Sequence, residues 1–186
     1  QDHKLPFAQE FAWENQGKDG PKTLLEAVRE LKPTAIIGSA VQPGAFSKEL
    51  VQEMSRINAN PIIFPLSNPT SKAECTFKDA FEWSEGKVIF ASGSPFPSVQ
   101  KEDGTTVYPA QANNAYIFPA VGHAAILTRA SSIPDDLLLD VAKALAEMPT
   151  EDDLRQGRLF PPFSKIRDVS VKLIAVLCHK ICERGL

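Results

Sequence analysis

Cysteine is scarce in this chain. Cys75, Cys178 and Cys182 are the only three in 186 residues, an odd number without the spacing of a disulfide framework. That scarcity excludes a disulfide-stapled domain and fits a reducing, intracellular compartment. Cys178, His179 and Cys182 offer ligand-type side chains about one helical turn apart. A zinc site needs four ligands, however, and no second cluster stands elsewhere. Cys178 shares an apolar stripe with Ile174 and Ile181, which favours a core role over a metal. No apolar run approaches the ~20 residues of a membrane-spanning helix. The opening residues, Gln1 to Pro6, lack the pattern of a signal peptide. A formal charge of -3 gives no electrostatic case for nucleic acid or an anionic membrane as partner. There is no initiator methionine, internal repeat or low-complexity linker, so the chain reads as a piece of a longer or processed protein.

What is present fits one domain with a real core: 43% of residues are hydrophobic and 23% charged. Residues 22–31 and 47–57 carry apolar side chains at helical spacing, with Ser47 placed to cap the second helix. Residues 34–40, 61–66 and 87–92 are short, continuous apolar runs of buried-strand character. Helices alternating with such strands predict an α/β fold with a parallel sheet and helices on both faces. Beyond Phe118 the pattern turns helical, over 119–129, 134–146, 151–156 and 164–184. In the last of these, Ile166, Val169, Leu173, Leu177 and Ile181 form the apolar face.

The segment Pro61 to Cys75 is the most informative. An apolar strand leads into Ser67-Asn68-Pro69-Thr70, and Ser71 with Glu74 has the spacing of a capping box opening a helix near 72–84. Asn68 therefore sits at the carboxyl end of a strand, the edge where open α/β sheets bind ligands. Its amide can donate and accept at once, which suits a hydroxy acid or a ribose; an Asx turn fits the same residue. A second strand ends in Phe90-Ala91-Ser92-Gly93-Ser94-Pro95-Phe96. After a polar, hairpin-like stretch comes Gln111-Ala112-Asn113-Asn114-Ala115-Tyr116-Ile117-Phe118-Pro119, and later Gly157-Arg158-Leu159-Phe160-Pro161-Pro162.

Together these motifs resemble the malic enzyme family, from about Pro6 to the last helix. The resemblance implies the second half of a Rossmann-type, doubly wound parallel sheet with a helical C-terminal cap. Residues 1–118 would be the α/β part of a partial NAD(P)-binding domain and 119–186 its helical part. The family oxidises L-malate with NAD or NADP and a divalent metal, then decarboxylates the bound oxaloacetate to pyruvate. By resemblance, Asn68, Asn113 and Asn114 reach the malate, and Asn68 also the nicotinamide end of the cofactor. Gly38, Ser39 and Ala40 match the family's small-residue turn beside the cofactor. Lys4, three residues before Phe7, matches a lysine that NADP-preferring relatives carry near the 2′-phosphate, and it leans the cofactor toward NADP.

Other parts of the family's machinery have no match here. The chain lacks a Gly-x-Gly-x-x-Gly turn; Gly38 to Gly44 comes nearest, with the wrong spacing. The family's tyrosine–lysine acid–base pair, its malate-clasping arginine and the carboxylates that hold Mg2+ or Mn2+ are implied to lie upstream. Tyr108 and Tyr116 stand in other motifs. The segment alone is therefore expected to be inactive, to expose apolar strand edges where the first half would pair, and to work as part of a homo-oligomer. A non-catalytic Rossmann-like binding module is the alternative reading. His123, foreign to the family's glycine-rich run, is expected to be a satisfied core residue.

Overall fold

The computed structural model describes residues 20–186, so Lys4 lies outside the described residues. Four strands form one parallel sheet in the order β1 (Ala35–Gly38), β2 (Ile62–Pro65), β3 (Ile89–Ser92) and β6 (Ala110–Gln111). Ile37 lies opposite Phe64, and Ile63 opposite Phe90. Between β3 and β6 the polar stretch makes a small antiparallel hairpin, β4 (Val99–Gln100) with β5 (Thr106–Val107).

Three helices line one face of this sheet: α1 (Leu24–Leu31), α2 (Lys48–Ile57) and α3 (Phe77–Trp83). Val28, Leu50, Val51, Met54 and Phe77 from the helices meet Ile36, Ile63 and Phe90 from the strands in one buried cluster. Side chains in a strand alternate between faces, so Ala35 and Ile37 of β1 point the other way. Both are exposed, Ile37 at 64%, and β1 is the sheet's edge. Parallel sheets are ordinarily covered on both faces, so the exposure of Ile37 on the face away from these helices departs from that pattern among the described residues.

A second cluster is purely helical. It packs α4 (Phe118–Thr128), α5 (Asp135–Ala146) and α7 (Ile166–Arg184) together, with the short α6 (Glu151–Arg155) between α5 and α7 in the chain. Val169, Leu173, Leu177 and Ile181 recur at intervals of four along α7 and are buried as one stripe. Arg184 closes the assembly through the carboxylates of Asp136 and Asp140 on α5. No described helix is long and apolar enough to cross a membrane.

Several sequence-based expectations need correction. Ser71 and Glu74 form no capping box. Thr70–Lys72 is a 3-10 turn, and α3 begins later, capped by Thr76, whose hydroxyl accepts from the Asp79 N–H at 3.1 Å. Thr76 with Asp79 has the same one-turn spacing, which frees Glu74 for burial. The helix over 22–31 forms as α1, with Val28 as its buried residue and Leu24 and Leu31 exposed. His123 is also exposed, its Nδ1 2.8 Å from the Pro119 carbonyl oxygen, because α4 turns that side outward. At the C-terminal end, Cys178 packs against the helical cluster, Cys182 is exposed, and His179 lies 3.0 Å from the Glu183 carboxylate.

Two expectations test this packing. Leu173 is fully buried, so Leu173→Ala should lower unfolding stability by about 2–5 kcal/mol in urea titration. Burial, aided by the nearby Asp79 and Glu74 carboxylates, pushes the Cys75 thiol up to about 12. At pH 9 a thiol reagent should therefore label Cys182 and spare Cys75 until the protein unfolds; prompt labelling of Cys75 in the native state would contradict its burial.

Candidate functional site

The carboxyl ends of the parallel strands converge on one edge. There β1 runs into Gly38-Ser39-Ala40, β2 into Leu66-Ser67-Asn68, β3 into Gly93-Ser94, and β6 into Ala112-Asn113-Asn114. The backbone stitches these exits together. The Leu66 N–H donates to the Gly38 carbonyl at 2.8 Å, that of Gly93 to Pro65 at 3.2 Å, and that of Ala112 to Ser92 at 2.9 Å.

Asn68 is exposed and follows β2, joined to Pro69 by a cis peptide bond. Its side chain is oriented from the neighbouring loop: the Ser94 hydroxyl donates to Asn68 Oδ1, and Ser92 in turn donates to the Ser94 carbonyl at 2.8 Å. Among the described residues Asn68 Nδ2 has only a long contact to the Leu66 carbonyl, at 3.4 Å. The amide is thus held by its acceptor end while its donor end stays available to a ligand.

Gly93 makes that arrangement possible. A Cβ there would overlap the Leu66 carbonyl oxygen and stand 2.7 Å from Asn68 Nδ2. Gly38 has a comparable role on the other side: a Cβ would fall 2.5 Å from Glu74 Cδ. Gly38 is buried, whereas Ser39 and Ala40 are exposed at the strand exit. The four residues Gly38, Ser39, Ala40 and Asn68 therefore share one edge of adjacent strands.

Asn113 and Asn114 stand apart, beyond β3 and β6. Asn113 Oδ1 accepts from the Ala115 N–H at 2.9 Å and caps a 3-10 turn, Asn114–Tyr116. That oxygen is committed to the turn, while Nδ2 donates no hydrogen bond among the described residues. Asn113 and Asn114 line an open, mainly apolar cleft of about 610 Å³ against Leu66, Phe118, Val121 and Leu138. Asn68 is not part of that wall. A polar bond network ties this region to the later motif. The Tyr116 hydroxyl donates to the Pro161 carbonyl at 2.6 Å, and its ring meets Phe160 and Phe163. Tyr108 lies beneath the Arg158 guanidinium at 3.7 Å. Both tyrosines are thereby engaged in packing.

The sequence reading missed Ser67, Glu74, Gly93 and Ser94 as parts of this edge. The small residues after β3 hinted at Gly93 and Ser94. Nothing local to Glu74 distinguished it from a surface helix-capping acid. Among the described residues no group of three His, Cys, Asp or Glu side chains could hold a metal. The edge does fit a dinucleotide and a hydroxy acid in kind: an exposed small-residue turn beside neutral amides.

The steric role of Gly93 is directly testable. Because the obstructing atom is a backbone oxygen, Gly93→Ala should cost about 1–3 kcal/mol in denaturant unfolding and shift the Asn68 side-chain amide resonances. Unchanged stability and spectra would show that the loop accommodates a methyl group.

Comparison with known proteins bears on the whole segment. Residues 1–182 match the family model described as the malic enzyme NAD-binding domain. The chain is 45% identical to a chloroplastic NADP-dependent malic enzyme of Zea mays over 97% of its length, covering 28% of that protein. It is 42% identical to a NADP-dependent malic enzyme of Vitis vinifera over 100% of its length, covering 30% of the relative. The mitochondrial NADP-dependent malic enzyme of Homo sapiens is 51% identical over 81% of the chain, which covers 25% of it. The chain thus spans less than a third of the length of these curated relatives. With its parallel sheet, flanking helices and C-terminal helix, it belongs to the malic enzyme family as an NAD-binding domain.

Proposed function

We propose that this chain contributes part of the cofactor and substrate site of an enzyme that oxidatively decarboxylates L-malate to pyruvate and CO2, reducing NADP or NAD. The observation that carries the reading is Asn68, an exposed residue at the carboxyl edge of the sheet whose amide oxygen is held by Ser94 and whose Nδ2 makes a long bond, 3.4 Å, to the Leu66 carbonyl. The relatives' names, NADP-dependent in each case, favour NADP. The dinucleotide supplies the hydride acceptor when bound. Gly38, Ser39 and Ala40 would leave room for it at the strand exit.

The chain's own residues would bind and orient. Asn68 Nδ2 would donate to the substrate hydroxyl or a carboxylate oxygen, with Ser94 fixing the plane of the amide. Asn113 Nδ2 would offer a second donor while its oxygen holds the 3-10 turn, and Asn114 stands beside it in the cleft wall. Neutral donors of this kind orient the carbon that loses hydride without adding competing charge, and orientation is a large part of such catalysis. Acid–base groups and the Mg2+ or Mn2+ ligands would come from upstream residues of the full-length protein, which acts as a homo-oligomer. The segment alone would not turn over.

The test uses the full-length protein with L-malate, Mn2+ and either NADP or NAD, following reduced nicotinamide and pyruvate together. Equal amounts of both products are expected. Asn68→Asp and Asn113→Asp keep the oxygens that accept from Ser94 and Ala115 but lose the donors and add charge. Each should reduce kcat/KM for malate by about 100-fold or more with the melting temperature held. Reduced cofactor without pyruvate would mean a plain dehydrogenase. A folded full-length protein with no turnover would favour a binding module.

A further inference from the structure

The turn after β1 contains a residue in a costly conformation. Val41 has φ of 56°, in the left-handed region, where a β-branched side chain is a true outlier. It is exposed, so packing does not impose the conformation. A buried hydrogen-bond chain does reach it. The Val41 N–H donates to Ser67 Oγ at 3.0 Å, and the Ser67 hydroxyl donates to Glu74 Oε1. Ser67 is 4% exposed and Glu74 1%.

Glu74 is held in place from two further directions. The Phe46 N–H donates to its carbonyl at 3.1 Å, and its side chain packs directly over the Cα of Gly38. Its second carboxylate oxygen, Oε2, is buried without a hydrogen-bond partner among the described residues. A buried acid with half its carboxylate unsatisfied is costly. Among the described residues its carboxylate accepts one hydrogen bond, from the Ser67 hydroxyl, which it thereby orients. With that proton committed to Glu74, the Ser67 oxygen presents a lone pair to the Val41 N–H.

We propose that Ser67 and Glu74 are positioning residues that hold the Gly38–Val41 turn in its strained, cofactor-receiving shape. Glu74 orients Ser67, Ser67 fixes the Val41 amide, and Val41 in the left-handed region sets the direction of Ser39 and Ala40. This rests on the reading that the turn borders the dinucleotide. Without the chain of bonds, Val41 relaxes to an ordinary conformation and only a fraction of molecules presents the receptive turn, which weakens apparent affinity by that fraction.

The experiment takes the full-length protein and measures two quantities: NADPH affinity by fluorescence, and amide exchange at Val41 without cofactor. Ser67→Ala should weaken NADPH binding about tenfold and speed Val41 exchange by a similar factor. Glu74→Ala should do the same, whereas Glu74→Gln, which keeps an oxygen for the Ser67 proton, should stay within about threefold. The deciding variant is Ser67→Ala combined with Val41→Gly. Glycine adopts the left-handed conformation without penalty, so it should restore NADPH affinity to within about threefold of the parent. A general loss of stability would not be repaired by that glycine.

Exchange at Val41 that is unchanged in Ser67→Ala would overturn the proposal, as would an affinity loss that Val41→Gly leaves intact. The latter result would place Ser67 in direct contact with ligand or make its effect act through Asn68. If the unsubstituted protein binds no nicotinamide dinucleotide, the proposed function fails. Exchange at Val41 still decides whether Ser67 and Glu74 hold the turn.

Discussion

Parallel pairing is the constraint from which the rest follows. Strands β1, β2, β3 and β6 all run the same way, so every loop that leaves a strand emerges on one edge. Segments far apart in sequence are thereby brought side by side: the turn from Gly38, the turn at Asn68, and the small residues Gly93 and Ser94. The first two crossovers return the chain through helices, and α2 and α3 serve as both connection and cover for one sheet face, whereas the third, from β3 to β6, runs through the β4–β5 hairpin. The site is thus a consequence of strand direction before it is a matter of any single side chain.

Close approach of backbones gives the edge its definition. The loops are too near for ordinary side chains at Gly38 and Gly93, where a Cβ would meet Glu74 and Leu66 respectively. Hydrogen bonds then fix what the close approach permits. Ser94 holds Asn68, while Ser67 joins Glu74 to the Val41 amide. These are buried or half-buried bonds in a setting where an unsatisfied polar group costs about 1–3 kcal/mol, so each partner strongly constrains the other. The second core, built on α7, supports the far end of the same edge. Tyr116 spans the two regions, its backbone in the turn after Asn113 and its hydroxyl on Pro161.

Much of this was readable from the residues. Continuous apolar runs at 34–40, 61–66 and 87–92 became β1, β2 and β3, and the four-residue recurrence from Val169 to Ile181 became the buried stripe of α7. Ser47 caps α2 as its position suggested, its hydroxyl accepting from the Leu50 N–H at 3.4 Å. The boundary of α3 was misread because two capping patterns lie five residues apart, and a local pattern carries no information about which one the sheet will need. The exposure of His123 was misjudged for a related reason. Periodicity marks a face as apolar without saying whether a neighbour arrives to cover it.

Local chemistry, then, was enough to place the first three strands of the sheet and most of the helices in order, while β6 went unread and the family came from the resemblance of separated motifs. Apolar spacing selects helix or strand, and several separated motifs in one order leave little room for another fold. The place of Glu74 was beyond its reach. Whether a carboxylate faces solvent at a helix start or lies buried against a glycine depends on the distance between β1 and the loop after β2. Strand pairing sets that distance, so the same Ser-x-x-Glu spacing that suggests a surface cap becomes, in the folded chain, an interior contact with Ser67 and Gly38.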